Sequence, residues 1–168
     1  TDIGNIDSFF DANLGLTDDI PSFNLYDNKK RVYTRARMLP TTKISGTILE
    51  KAVIAEGCII HAAKIERCVI GIRSRIGKDS TVINTYMMGG DRYETLRDIE
   101  THKKGVVMGI GERCYINNAI LDKNCRIGDD VRIDGGNHLE NKETDMYFIK
   151  DGIVVVKKGA TIPNGYTI

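Results

Sequence analysis

A cluster of arginines is the feature of this sequence that best suits a chemical role. That role would be the binding of an anion. The segment RVYTRARMLPTTK contains three arginines, and alternation along an extended chain would put Arg35 and Arg37 on the same face. If they converge with other cations, their guanidinium groups would bind phosphate through charge-assisted hydrogen bonds of about 1.5–3 kcal/mol each. The alternative is an ordinary solvated surface.

Lysines further along the chain extend this set of cations. Lys123 follows Asp122 in the stretch NAILDKNCRIGDDVRI, and Lys157 and Lys158 follow the apolar stretch GIVVV. A single lysine is most simply a solvated surface charge. The prediction of a phosphate site therefore depends on whether the fold brings these lysines and the arginines together.

A six-residue period indicates the fold that must position them. Aliphatic residues recur at six-residue spacing through most of the chain after residue 44, and the position four residues after them is often small. Such hexapeptides are typical of a left-handed parallel β-helix, in which three units make one triangular coil and the aliphatic residue points inward. The predicted inward residues are Ile48, Ile54, Ile60, Ile70, Ile76, Val82, Met88, Ile110, Ile116, Leu121, Ile127, Ile133, Val156, Ile162 and Ile168.

The longest internal match supports this repeat, because it sets IGIRSRIGKDSTV from Ile70 against LDKNCRIGDDVRI from Leu121. Glycine follows the aliphatic residue at four positions, where we expect it to relieve backbone strain at a corner. Cys58, Cys114 and Cys125 occupy the small position of the repeat. Since the four cysteines form no C-x-x-C pair, we predict buried free thiols rather than a disulfide framework or a metal site.

Two segments interrupt the repeat. Residues 89–105, GGDRYETLRDIETHKKG, are charged and show helical spacing, so we predict an insertion with about three turns of helix, ended by Gly105. Residues 134–148, DGGNHLENKETDMYF, are polar and begin with Gly-Gly, which predicts a loop.

The repeat is preceded by a segment of different character. IDSFFDANLGL predicts an amphipathic helix closed by Gly15, and the stretch from Pro21 to Pro40 predicts an extended linker that packs along something else. We therefore predict a mainly β chain with two parts. The helix and linker occupy residues 1–43, and the left-handed parallel β-helix occupies residues 44–168.

Composition limits the classes of function. The formal net charge is +1, with 41% hydrophobic and 28% charged residues, so nothing draws the whole chain to nucleic acid or to an anionic membrane. No apolar run approaches the ~18 residues that a membrane helix needs. We expect a soluble intracellular protein. Because the sequence begins at Thr1 rather than Met, we also expect it to be a fragment.

No catalytic motif is recognisable in the sequence. It contains no P-loop, no Rossmann glycine fingerprint, no G-x-S-x-G and no histidine pair at metal-ligand spacing. Many hexapeptide-repeat proteins are acyltransferases that use a loop histidine as general base, and His102 or His138 could serve in this way. Solvated surface histidines are the alternative. We predict no catalytic residue and no metal ligand in this chain.

Six stretches are distinctive in combination: DIGNIDSFFDANLGLT, YTRARMLPTTK, CVIGIRSRIG, MMGGDRYET, GIGERCYINNAILDKNCRIGDDVRI and YFIKDGIVVVKKGATIPNGYTI. Together they resemble the C-terminal region of the ADP-glucose pyrophosphorylases (glucose-1-phosphate adenylyltransferases) of the plant and cyanobacterial type. The resemblance implies a parent enzyme that makes ADP-glucose and pyrophosphate from ATP and glucose 1-phosphate, with Mg²⁺, in glycogen or starch synthesis. Its catalytic domain would lie N-terminal to this region, so we expect this fragment alone to be inactive and to bind no cofactor.

The resemblance also implies a role in regulation and assembly. In that family the β-helix packs on the catalytic domain, helps to build a tetramer, and helps to bind phosphate effectors such as 3-phosphoglycerate and inorganic phosphate. Carried over motif by motif, the effector site falls on Arg35, Arg37, Asp122, Lys123 and Lys158. The expected location is the bacterial cytoplasm or the plastid stroma.

This sequence departs from the family pattern at Arg35, which is commonly neutral, and at Lys157, which adds a charge beside Lys158. The identity of the effector and the sign of its effect therefore stay open. Both a homotetramer and a heterotetramer are also compatible with the sequence. Two alternatives remain: a hexapeptide-repeat acyltransferase, which would form a trimer and bind coenzyme A, and a structural assembly domain without a ligand.

Overall fold

The computed structural model describes residues 3–101 and 105–168. Within this part of the chain, no helix is long and apolar enough to cross a membrane. The helical elements are α1 (Ile6–Leu14), a 3₁₀ turn (Gly15–Thr17) and α2 (Leu96–Thr101). Six of the two-residue strands stack on one another: β1 (Lys43–Ile44), β3 (Ile59–Ile60), β5 (Arg75–Ile76), β7 (Gly109–Ile110), β9 (Arg126–Ile127) and β14 (Thr161–Ile162). Four strands have seven residues each: β2 (Ile48–Ile54), β4 (Lys64–Ile70), β6 (Thr81–Met87) and β8 (Tyr115–Leu121). The remaining strands are β10 (Arg132–Asp134), β11 (Lys142–Glu143), β12 (Tyr147–Lys150) and β13 (Ile153–Val156).

The strands wind into a parallel β-helix with three faces. The short strands form one parallel sheet, in the order β1-β3-β5-β7-β9-β14, and the long strands stack in parallel as β2-β4-β6-β8. Each long strand bends at a residue with positive φ, and its two halves belong to different faces: the first half of β8 pairs with β10 and the second half with β13. This confirms the prediction of a mainly β chain built on a parallel β-helix.

The bend in the long strands changes the repeat at two predicted positions, one directly after β6 and one in β2. In β6 the inward residues are Val82, Thr85 and Met87, because Asn84 takes a φ of 42° and shifts the register by one residue. The prediction that Met88 points inward was therefore wrong. Met88 packs instead in an outer cluster around α1.

Most of the other predicted inward residues are buried in the core: Ile60, Ile70, Ile76, Val82, Ile110, Ile116, Leu121, Ile127, Ile133, Val156 and Ile162. Ile54 and Ile168 are partly buried against this core. The prediction that Ile48 points inward was also wrong. Ile48 is 65% exposed and pairs with Lys64 at an outward position, whereas the next residue, Leu49, pairs with the buried Ile65.

The cysteines are buried free thiols, as predicted. The glycines that follow the aliphatic residues are required for a different reason from the one expected. Neither Gly77 nor Gly111 has a positive φ, but a Cβ atom on Gly77 would overlap the carbonyl group of Gly111 in the next coil. Close approach of stacked coils, rather than strain at a corner, requires glycine here.

Helix α1 lies against the outside of the β-helix and confirms the predicted amphipathic helix. Asn5 caps it by accepting a hydrogen bond from the Ser8 backbone N–H at 2.7 Å. Phe10 and Leu14 are buried, and they cluster with residues of β8 and β13, including Ile153. From residue 18 to residue 42 the chain forms no helix or strand and is largely exposed.

The helix predicted in residues 89–105 begins only at Leu96, the first residue of α2. Thr95 and Asp98 form a reciprocal capping box: the Asp98 N–H donates to Thr95 Oγ1 at 3.1 Å, and the Thr95 N–H donates to Asp98 Oδ2 at 3.0 Å. Tyr93 lies before this cap, and its hydroxyl donates to the carbonyl of Gly57 at 2.8 Å. Residues 102–104, which include His102, lie outside the described residues.

Residues 134–148 do not form the simple loop that was predicted. They contain β11 and the start of β12, which pair in antiparallel fashion, and β12 pairs in the same way with β13. Tyr147 and Ile149 alternate inward along β12 and are buried. The polar residues in the first half of this stretch favour a loop. Only its last residues, at the start of β12, indicate a strand.

Candidate anion-binding site

One corner of the β-helix is repeated in successive coils, and backbone hydrogen bonds join its copies. Arg73 N–H donates to Glu56, and Gly90 N–H donates to Ile72. Further along, Asn124 N–H donates to Gly89 at 3.1 Å and Gly159 N–H donates to Lys123 at 2.9 Å. We call this stack the corner row; it comprises residues 56–57, 72–73, 89–91, 123–124 and 158–159.

Lys123 and Lys158 occupy equivalent positions in adjacent copies of the corner. Each directly precedes a residue in the left-handed region, Asn124 with φ 62° and Gly159 with φ 69°. Because adjacent strands are about 4.8 Å apart, the fold places these two lysines side by side although they come from separate stretches of sequence. Their side chains reach solvent at the same edge, since Lys158 is exposed and the Lys123 side chain is 43% exposed.

Asp91 is the residue that Lys123 contacts directly. Its Oδ1 lies 3.0 Å from Lys123 Nζ, and its Oδ2 accepts a hydrogen bond from Asn124 Nδ2 at 2.9 Å. The Asp91 backbone N–H also donates to Asn124 Oδ1 at 2.9 Å. The hydrogen bond from Asn124, that from Lys123 and the charge of Lys158 hold the pKa of Asp91 below its ordinary value.

The two arginines predicted for the site lie beside the second and third copies of the corner, next to Asp91. Arg35 and Arg37 line a groove together with Arg73 and Asp91. Arg37 Nη1 donates to the carbonyl of Arg35 at 3.3 Å, and Arg73 Nη1 donates to the carbonyl of Gly90 at 3.3 Å. Asp91 thus stands between the arginine groove and Lys123.

The other predicted residues take different positions. The Asp122 carboxylate accepts the backbone N–H of Lys123 at 2.6 Å, so it shapes the corner from which Lys123 projects. Lys157 turns away from the row, and its Nζ contacts Glu143 Oε1 and the carbonyl of Thr144, each at 2.7 Å. Among the residues that the structure describes, no carboxylate lies within ion-pair distance of Lys158.

Three residues at the site were missed from the sequence: Arg73, Asp91 and Asn124. A signal for the first and third did exist, because the internal match between the blocks at Ile70 and Leu121 aligns Arg73 with Asn124. Asp91 has no such signal. It enters from the insertion, whose path the period does not encode.

Within the described residues, the positions of the histidines do not support a histidine general base, and the positions of the possible ligands do not support a metal site. His61 directly follows β3, and His138 lies between β10 and β11. Across residues 3–101 and 105–168, neither imidazole forms an ion pair with a carboxylate. In the same residues no three His, Cys, Asp or Glu side chains converge in a way that could hold a metal ion.

Comparison with known proteins agrees with the fold and with the resemblance drawn from the six stretches. The chain is 44% identical over 172 residues to a protein from Triticum aestivum named "Glucose-1-phosphate adenylyltransferase small subunit, chloroplastic/amyloplastic". That alignment covers 99% of this chain but only 36% of the wheat protein. Residues 37–167 match the family described as the "GLGC left-handed parallel beta-helix domain", which confirms the predicted hand of the helix. The chain belongs to this family of left-handed β-helix domains.

Proposed function

We propose that this chain is the C-terminal regulatory and assembly domain of an ADP-glucose pyrophosphorylase. The matched family and the wheat relative support this reading, and the chain spans about a third of that relative's length. A separate catalytic domain would make ADP-glucose and pyrophosphate from ATP and glucose 1-phosphate, for glycogen or starch synthesis. The Mg²⁺ of that reaction would be held by the catalytic domain, and this chain alone would be inactive.

The observation that carries the regulatory role is the grouping of cations along the corner row. Lys123 and Lys158 lie side by side, and the arginine groove meets them at Asp91. A phosphate group offers several oxygens to such a set. Each charge-assisted hydrogen bond would contribute about 1.5–3 kcal/mol, so two or three of them suffice for a specific effector site.

The position of the arginines suggests how an effector would act on another domain. Arg35 and Arg37 belong to the linker of residues 18–42, whereas the lysines belong to the coils. A phosphate that contacts both would fix the linker against the β-helix. Several large apolar side chains of the linker are exposed, among them Tyr33 at 94% and Met38 at 104%, as expected of a segment that another domain covers.

The same exposed surfaces support assembly. We propose that the linker and the open first coil contact the catalytic domain and sister subunits, in a tetramer of one or two kinds of subunit. The wheat relative is named as chloroplastic/amyloplastic, which favours the plastid stroma for this protein; the bacterial cytoplasm is the alternative. We propose no contact with nucleic acid or membrane.

The test uses the complete enzyme and the concentration of effector that gives half of the full response. Lys123→Ala and Lys158→Ala should each raise this concentration about tenfold or more for 3-phosphoglycerate or inorganic phosphate, because each removes one charge-assisted contact. Lys157→Ala is the matched control, since that lysine is bound to Glu143 and Thr144, and its response should equal that of the parent. If the response curves of all three variants overlay the parent, the regulatory assignment is wrong.

A further inference from the structure

The Asp91 carboxylate occupies the place that an effector anion would take at Lys123. Its Oδ1 contacts Lys123 Nζ at 3.0 Å, and its side chain lines the same groove as Arg35 and Arg37. Lys158, the next cation along the row, acts on Asp91 through its charge. The carboxylate thus lies among the cations proposed to bind phosphate.

Two backbone hydrogen bonds hold Asp91 in this position. Gly90 N–H donates to Ile72 at 2.9 Å, and the Asp91 N–H donates to Asn124 Oδ1 at 2.9 Å. The backbone that carries the carboxylate is therefore fixed, and only the side chain of Asp91 is free to rotate. Rotation of its side chain would release Lys123 without moving the backbone.

The ion pair is also weak enough to be displaced. The side chains of Lys123 and Asp91 are 43% and 47% exposed, so water screens their attraction. A carboxylate brings a single negative charge, whereas a phosphate monoester carries up to two and offers more acceptor oxygens. A phosphate could contact Lys123 and Lys158 together, which favours it over Asp91.

We propose that Asp91 is a built-in competitor of the effector, which occupies Lys123 in the effector-free protein and must leave it when a phosphate binds. Asp91 would then set the affinity of the site and would favour dianions over monovalent anions, which bring no more charge than Asp91 itself. This inference rests on the proposed function, since it concerns the same site.

The test compares Asp91→Asn with the parent in the complete enzyme, using inorganic phosphate as the probe. Asn has the shape of Asp, its side-chain oxygen can accept the hydrogen bond from Asn124 Nδ2, and its backbone N–H still donates to Asn124 Oδ1, so the corner should stay folded. With the competing charge removed, the half-saturating concentration of phosphate should fall about two- to fivefold, as expected for one exposed ion pair. Asp130→Asn is the matched control: Asp130 is paired with Arg113, is similarly exposed, and should leave phosphate binding unchanged.

A second arm separates competition at Lys123 from a general loss of negative charge. In a Lys123→Ala background, Asp91→Asn should have little further effect on the half-saturating concentration, because the contested cation is gone. An equal gain in both backgrounds would overturn the inference. So would an unchanged or raised concentration for Asp91→Asn in the parent background. If Lys123→Ala or Lys158→Ala still weakens the effector response, the proposed function stands without this inference; if neither variant does, both fail.

Discussion

Glu94 and Arg126 form an ion pair between the insertion and the β-helix, with side chains only 9% and 13% exposed. Glu94 Oε2 also accepts the backbone N–H of Met108 at 2.8 Å, and Arg126 Nη1 donates to the carbonyl of Val106 at 2.8 Å. The pair thus anchors both ends of the insertion to one coil. It also holds the insertion in place shortly after Asp91, the residue at which the chain leaves the corner row.

Removal of one partner of this pair should destabilise the chain strongly. In Glu94→Ala the Arg126 guanidinium stays largely buried without its counter-charge, so the free energy of unfolding should fall by about 3 kcal/mol. Urea unfolding of the 168-residue chain measures this. Lys150→Ala, which breaks an exposed pair with Asp151, is the control and should change stability by no more than about 0.5 kcal/mol. Equal losses in the two variants would show that burial of the Glu94 pair contributes nothing.

The inward and outward positions of the coils predict different costs at two isoleucines. Ile127 is 1% exposed and lies between Ile110 and Ile162 in neighbouring coils, so Ile127→Ala should cost about 2–5 kcal/mol. Ile48 is 65% exposed at an outward position of β2, and Ile48→Ala should cost less than about 1 kcal/mol. The same unfolding experiment compares them. Similar costs at both positions would contradict this assignment of inward and outward residues.

The buried thiols predict a loss of stability in alkali. Burial raises the pKa of Cys68 and of Cys125 to about 12, from an ordinary value of 9.0. The folded protein therefore keeps protons that the unfolded chain releases above pH 9. Their contribution to stability is complete below about pH 9 and is lost as pH rises toward 12.

Thermal unfolding between pH 9 and pH 11 tests this expectation. The melting temperature of the parent should fall faster over this range than that of Cys68→Ala. Parallel curves would show that the Cys68 thiol does not titrate differently in the two states. Alkylation at pH 8 gives a second readout, since all four thiols should react only after denaturant is added.

The coils of this fold could be predicted because their interior admits only aliphatic and small side chains, which leaves a period of six in the sequence. The bends within the long strands could not be predicted from the sequence. Their positive-φ positions include Lys51 and Arg67, residue types that do not signal a left-handed backbone. Ile48 and Met88 were therefore assigned to the wrong side, each by one residue.

The candidate site, like the fold, could be predicted only in part from the sequence. Lys123 and Lys158 follow from the resemblance, and the stacking of coils explains why they are neighbours. The placement of Asp91 was not predictable, because it depends on the return path of the insertion. That path is set by tertiary contacts such as the Glu94–Arg126 pair, which no local pattern encodes.

The most direct test of the account is a crystal structure of the complete enzyme with a bound phosphate analogue, such as arsenate, located by its anomalous scattering. The account predicts one anion within hydrogen-bonding distance of Lys123 and Lys158 and of Arg35 or Arg37, with Lys123 released from Asp91. An anion bound only elsewhere, with the 3.0 Å contact between Lys123 and Asp91 intact, would contradict it.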